Sequence, residues 1–124
     1  MVFKIIKVEN VLANVDDIDE AKRYFSKLLG ITFESHSTAV LPDGMEVKIT
    51  ISPHGIELIE QTKPRLASEG MRGFSLRVSN LDEAKLHLKK MGLSPIVEFQ
   101  TSNLKEAIYH IRGIRMAFEE HSEE

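Results

Sequence analysis

Apolar and polar positions alternate in two rhythms along this chain, and the pair of rhythms occurs twice. Apolar side chains recur at Ile18, Ala21, Phe25 and Leu28, and again at Leu81, Ala84, Leu88 and Met91. Both sets follow i, i+3, i+7, i+10, which is one face of a helix. The tetrapeptide Asp-Glu-Ala-Lys starts at Asp19 and again at Asp82. Each predicted helix opens on a capping-box-like pair, Asp17 with Glu20 and Asn80 with Glu83. There a short acceptor side chain can satisfy an orphan N–H at the helix start. Gly30 and Gly92 stand where a left-handed residue closes a helix.

The second rhythm has period two and marks strands. One strand precedes each helix, at 8–15 and 73–78. Three follow each: 31–40, 45–51 and 56–60 in the first copy, 94–100, 105–111 and 114–119 in the second. Turns are expected at "PDG" (42–44), "SPHG" (52–55) and Arg112-Gly113, and a linker at 63–71. The order is βαβββ, linker, βαβββ. Two copies are too few for a solenoid, so this is a duplicated supersecondary unit. The expectation is a single α+β domain, with module one at about 5–62 and module two at about 71–120.

Strand alternation sorts the residues by face. Val11, Ala13 and Val15, Ile56 and Leu58, Phe74, Leu76 and Val78, and Ile114, Met116 and Phe118 form the apolar sets expected under the helices. The opposite faces carry Asn10, Asn14, Glu57, Arg77, Arg115 and Glu119. A two-residue hairpin at Arg112-Gly113 pairs Ile111 with Ile114 and puts His110 on the Arg115 side. Such a face reads either as a solvated, ion-paired or dimer-forming surface, or as the lining of a cavity. Composition and periodicity leave both open.

Composition narrows the partners. The 124 residues are 42% hydrophobic and 28% charged, with net charge -3. No basic run or Arg-rich helix points to nucleic acid. The chain has no Cys, which excludes disulfides, thiolate nucleophiles and Cys-based zinc sites. The N-terminal apolar run is broken by Lys4 and Lys7, unlike a signal peptide. No stretch approaches the ~20 apolar residues of a membrane helix. A cytoplasmic location and no membrane partner are therefore expected. His36, His54, His87 and His121 read as surface residues, and neighbours in Ser35-His36-Ser37 point to opposite faces of an extended chain. "GMRG" (70–73) lacks the Lys and spacing of a phosphate loop.

Three stretches, "NVLANVDDIDEAKRYFSKLLGITF" (10–33), "SPHGIELIEQ" (52–61) and "FSLRVSNLDEAKLHLKKMGL" (74–93), carry a resemblance that extends from about residue 5 to 120. The chain resembles the vicinal oxygen chelate superfamily, which includes glyoxalase I, bleomycin-resistance proteins, methylmalonyl-CoA epimerase and extradiol dioxygenases. The resemblance implies that each module curls its sheet into a cup with its helix outside and a ligand inside. In the family's metal enzymes, His, Glu or Gln side chains hold a divalent metal with positions open for substrate oxygens.

Carried onto this chain, the family's four ligand positions fall on Asn10, Glu57, Gly73 and Ala117. Only Glu57 is an acceptable ligand, and three protein ligands are typical. No metal is therefore expected, with Glu57 the residual candidate. A divalent metal held by relocated ligands, Glu57, His110 and Glu119, is the alternative. No catalytic residue is assigned. The metal-free branch of the family implies a small-molecule ligand, with Asn10, Asn14, Glu57, Arg77, His110, Arg115 and Glu119 as the binding set. The absence of Trp speaks against a large aromatic drug. Arg77 and Arg115 suit a small anion or carboxylate through forked bonds, or else close the face in an Arg–Glu network. Polar sheet faces and exposed strand edges suggest a homodimer. Three functions compete: a metal-independent small-molecule binder, a metal-dependent lyase, isomerase or dioxygenase with relocated ligands, and a ligand-free scaffold or regulatory domain.

Overall fold

The computed structural model describes residues 3–40, 44, 46–63 and 69–122, the side chains of 62 and 63 excepted. Its elements are β1 (Ile5–Asn14), α1 (Ile18–Leu29), β2 (Ser35–Val40), β3 (Glu46–Ser52), β4 (Ile56–Lys63), β5 (Gly70–Val78), α2 (Leu81–Lys90), β6 (Val97–Gln100), β7 (Leu104–Ile111) and β8 (Ile114–His121). This is the expected α+β order of two βαβββ modules. Most of the "PDG" turn and most of the expected linker lie outside the described residues.

The chain divides into two compact units. One spans Asn10–Arg72, and the other joins the chain up to Glu9 with the chain from Gly73 onward. We call them the first and second unit.

In the first unit the strand order is β2-β3-β4-β1. Strands β2, β3 and β4 run antiparallel, and β4 pairs parallel with β1, Val11 opposite Ile56. Helix α1 starts as its sequence dictates. Asp17 accepts from the Glu20 N–H at 3.1 Å. Gly30 ends the helix with φ 67°, and its N–H bonds the Ser26 carbonyl. The buried core under α1 is Val15, Ile18, Ala21, Phe33 and Leu58, with Ala13, Phe25 and Ile56 packed against it. Leu28, expected to complete the stripe, is exposed.

The opposite face of this unit is mixed, as alternation implies for Leu12 and Ile59 beside Asn10 and Glu57, and its apolar members are buried. Leu12, Val47 and Ile59 form a second buried cluster there, flanked by Ala39 and Ile49. Alternation does put these residues on the Asn10 face. What the sequence does not announce is that apolar residues from β1, β3 and β4 meet on it, because that depends on register: Ile49 opposite Ile59, Ala39 opposite Val47.

In the second unit the order is β5-β8-β7-β6. Phe74 lies opposite Met116 in the parallel β5–β8 pair. Asn80 accepts from the Glu83 N–H at 3.0 Å. Here the helix ends on Met91, and Gly92 follows with φ 84°. The core is Phe3, Val78, Leu81, Ala84, Leu88, Ala107, Tyr109 and Phe118. Met91 lies outside it, exposed like Leu28. The Arg112-Gly113 turn is the expected two-residue hairpin: both residues have positive φ, 52° and 83°, and Ile111 pairs with Ile114. Two successive left-handed residues give a turn whose twist matches that of the strands it joins.

One repeated device was not legible in the sequence. The Ile18 N–H donates to Glu60 at 2.8 Å, and the Leu81 N–H donates to Glu120 at 2.7 Å. Each glutamate comes from the last strand of its own module. Each satisfies an orphan N–H and places negative charge at the positive end of a helix.

Candidate functional site

The sheet face of the second unit that does not carry α2 gathers its charge around Arg77. In β8, Arg115, Ala117, Glu119 and His121 alternate onto this face, and Arg77 sits opposite Glu119 in register. Arg77 Nε donates to Glu9 at 2.8 Å, and its Nη2 lies 2.6 Å from the same oxygen. Nη2 also reaches His121 Nδ1 at 3.0 Å. A guanidinium can only donate, so Nδ1 accepts and the imidazole proton lies on Nε2. That Nε2–H then faces Glu119 at 3.2 Å. The side chains of Glu9 and Glu119 are 13% and 7% exposed. Each of these two poorly hydrated carboxylates thus has a partner, Arg77 for Glu9 and His121 for Glu119, which limits the cost of burying them.

Two members of this network were missed by sequence reading. His121 reads as a surface residue in the sequence, but β8 runs two residues further than expected, and alternation from Glu119 puts it on the same face. Glu9 lies within the strand expected at 8–15, but its partner Arg77 stands 68 positions away and is not announced by local spacing. The Arg–Glu pairing foreseen for Arg77 is present, with Glu9 as its partner.

The remaining expected residues are more dispersed. In the first unit Asn10 donates to Glu57 at 3.4 Å, both part-buried. Asn14 accepts from Arg72 at 3.0 Å. In the second unit Arg115 is half-buried, and His110, opposite it in register, is exposed. Of the other histidines, exposed His36 bonds Thr50 Oγ1 at 2.8 Å, and His87 packs against the Phe3 ring.

The positions where the resemblance looks for metal ligands do not fit a metal. Glu57 accepts from Asn10. Ala117, buried, has no donor. Gly73 is the most restrictive: a Cβ there would stand 1.8 Å from the Arg115 carbonyl oxygen and 2.7 Å from its carbon. No side chain of any kind can be accommodated without moving the β8 backbone. A different set, Glu9, Glu119 and His121, has ligand atoms all within 4.8 Å of one another. Arg77 already supplies the positive charge among them. For the imidazole to bind a cation through Nε2, its proton would first have to move to Nδ1, which would break the bond from Arg77.

Each unit also has a groove on its helix side. In the first it is lined by Asp19, Lys22, His36, Thr38, Lys48 and Thr50, among others, with a volume of about 370 Å³. In the second it lies between α2 and strands β6 and β7, with a volume of about 380 Å³.

Comparison with known proteins gives a consistent result. Residues 11–110 match the profile of the Glyoxalase/Bleomycin resistance protein/Dioxygenase superfamily. No curated protein sequence matches. Among solved structures, methylmalonyl-CoA epimerase from Mycobacterium tuberculosis is similar at TM-score 0.72 and 17% identity, over 96% of this chain and 90% of that one. A variant of the Streptomyces coelicolor methylmalonyl-CoA epimerase in complex with 2-nitronate-propionyl-CoA is similar at TM-score 0.69 and 12% identity, over 97% of this chain and 100% of that one. A mutant 4-hydroxymandelate synthase from Streptomyces coelicolor reaches TM-score 0.72 at 9% identity, over 94% of this chain and 49% of its own length. At such identities these structures speak to the fold alone. The profile match covers well over half of the sequence, and the chain belongs to the glyoxalase/bleomycin resistance protein/dioxygenase superfamily.

Proposed function

We propose that the chain is a metal-independent member of this superfamily that binds a small molecule through its polar sheet-face residues. The observation that carries this reading is the contact at Gly73. One family ligand position is closed by backbone, a second holds Ala117, and a third holds Asn10, hydrogen-bonded to the fourth, Glu57. The candidate residues are Asn10, Asn14 and Glu57 in the first unit and, separately, Arg77, His110, Arg115 and Glu119 in the second. Two arginines on one face support an anionic ligand, although Arg77 is shared with Glu9. The neighbour in complex with 2-nitronate-propionyl-CoA supports the idea of a small-molecule ligand. That the chain acts as a cytoplasmic homodimer belongs to the same proposal. It is tested by a sedimenting mass twice the chain's 14.1 kDa.

The test is a thermal-shift screen with small carboxylates and acyl thioesters, paired with metal analysis of protein purified without chelators. The expected result is a ligand that raises the melting temperature, because it binds the native state only. The shift should be lost in Arg115→Ala. Stoichiometric metal lost on Glu57→Ala would overturn the reading. The second reading, a metal enzyme with relocated ligands, is favoured by the Glu9, Glu119 and His121 cluster. It requires tight metal that is lost on His121→Ala and bound more tightly in Arg77→Ala.

A further inference from the structure

Tyr109 is 1% exposed, and its hydroxyl is the buried side-chain polar atom without a hydrogen-bond partner among the described residues. A buried, unpaired hydroxyl is costly, and native structures retain few of them. Its ring is fixed edge-on against Phe118, with centroids 5.5 Å apart. It lines the helix-side groove of the second unit. That groove also holds Lys85 and Lys89 of α2, the apolar side chains of Leu86, Leu93 and Pro95, and Glu98 of β6. At about 380 Å³ it falls in the size range of small-molecule sites.

The charges show what chemistry the groove takes. Lys85 is ion-paired with Glu98, and the two side chains are 33% and 47% exposed. Bonding to Glu98 raises the Lys85 pKa, against the opposing effect of desolvation. Burial is the main cause that raises the Tyr109 pKa; Lys85 opposes it and Glu98 adds to it. Tyr109 is therefore a neutral O–H donor within electrostatic reach of both. Glu98 lies on a four-residue strand at the end of the β5-β8-β7-β6 order. Its carboxylate occupies Lys85 but leaves Tyr109 without an acceptor.

We propose that this groove is a binding site for a small aliphatic carboxylate, in which Glu98 stands where the ligand's own carboxylate would sit. One ligand oxygen accepts from Tyr109, and the other replaces Glu98 on Lys85. The hydrocarbon chain lies against Leu86, Leu93 and Pro95. Lys89, one helical turn from Lys85, adds positive charge at the rim. The groove lies on the helix side of its sheet, so this site is separate from the polar sheet face and does not rest on the function proposed above.

The test is titration of the purified protein with hexanoate at neutral pH, followed by calorimetry and by amide shifts in residues 81–111. Saturable binding is expected, with shifts confined to α2, β6 and β7. Tyr109→Phe should weaken it about 10-fold, the scale of a hydrogen bond to a charged acceptor. Without hexanoate, the same variant should melt no lower than the parent. Glu98→Gln should tighten binding, because it removes the internal competitor for Lys85. Three results would overturn the proposal. They are no saturable binding in either the parent or Glu98→Gln, unchanged affinity in Tyr109→Phe, or a lower melting temperature of Tyr109→Phe without hexanoate. The last would show that water already satisfies the hydroxyl.

Discussion

The two helix-side grooves start from matching positions and end with different chemistry. The parallel registers align Ile56 with Met116 and Val11 with Phe74. The antiparallel partners then place Ser52 at the position of Tyr109, and His36 at the position of Glu98. Lys22 corresponds to Lys85. In the first unit the polar atoms are closed among themselves: Thr50 bonds His36, and Ser52 Oγ accepts from the His54 N–H at 3.2 Å. In the second, the serine has become a tyrosine with an unpaired hydroxyl, and the histidine a glutamate on Lys85. The sheet faces differ in the same way, an apolar Leu12–Val47–Ile59 cluster in one unit and the Arg77 network in the other. Duplication has kept the N-caps and the glutamates at the helix starts, while the hairpin turns differ in length, Ser52 pairing with Ile56 in one unit and Ile111 with Ile114 in the other. It has left the chemistry at equivalent sites free to diverge.

The largest test of this divergence is at the position shared by Asn10 and Gly73. Gly73→Ala should destabilise by about 3 kcal/mol or prevent folding, because backbone rather than a movable side chain blocks the new Cβ. Asn10→Ala, which removes a long, part-buried hydrogen bond to Glu57, should cost about 1 kcal/mol. Equal costs in chemical denaturation would mean that the two positions are not distinguished by the β5–β8 approach.

Arg77→Ala should come next, at about 2 kcal/mol, because it removes the closest cation from Glu9, which has little access to water, and the donor to His121 Nδ1. Lys22→Ala in the first unit, a surface change, should stay within about 0.5 kcal/mol. Asp17→Ala and Asn80→Ala should each cost about 1 kcal/mol. Here the comparison predicts equality, since both caps have the same geometry.

The smallest effect is in pH. The Tyr109 pKa is raised above its ordinary value of 10.0. The folded protein therefore holds that proton where the unfolded chain releases it. The contribution is complete below pH 10 and is lost as pH rises through the folded value. Melting temperatures between pH 8 and 11 should fall less steeply in Tyr109→Phe than in the parent.

The repeat, the order of elements, both N-caps and the Arg112-Gly113 hairpin were legible because each is written in local spacing. The site was legible only in part. Asn10, Glu57, Arg77 and Glu119 could be placed on faces by alternation, but partners depend on register and strand length. Glu9 reaches Arg77 across 68 positions, and His121 enters only because β8 continues past Glu119. The helix-side glutamates Glu60 and Glu120 were hidden for the same reason: nothing near them in sequence says which helix start they meet. Leu28 and Met91 fit the helical period yet stay exposed, since periodicity says which way a residue points and not how far the cover extends.

The carbonyl of Arg115 pressed against residue 73 has an implication for descent and for engineering. A donor cannot be restored there by one codon change, because every intermediate would carry a misfit before it carried a ligand. Any lineage that recovered a chelating side chain at this place would have to re-space two neighbouring strands first. A designer seeking the same outcome would begin with the main chain of β8 and leave the glycine until last.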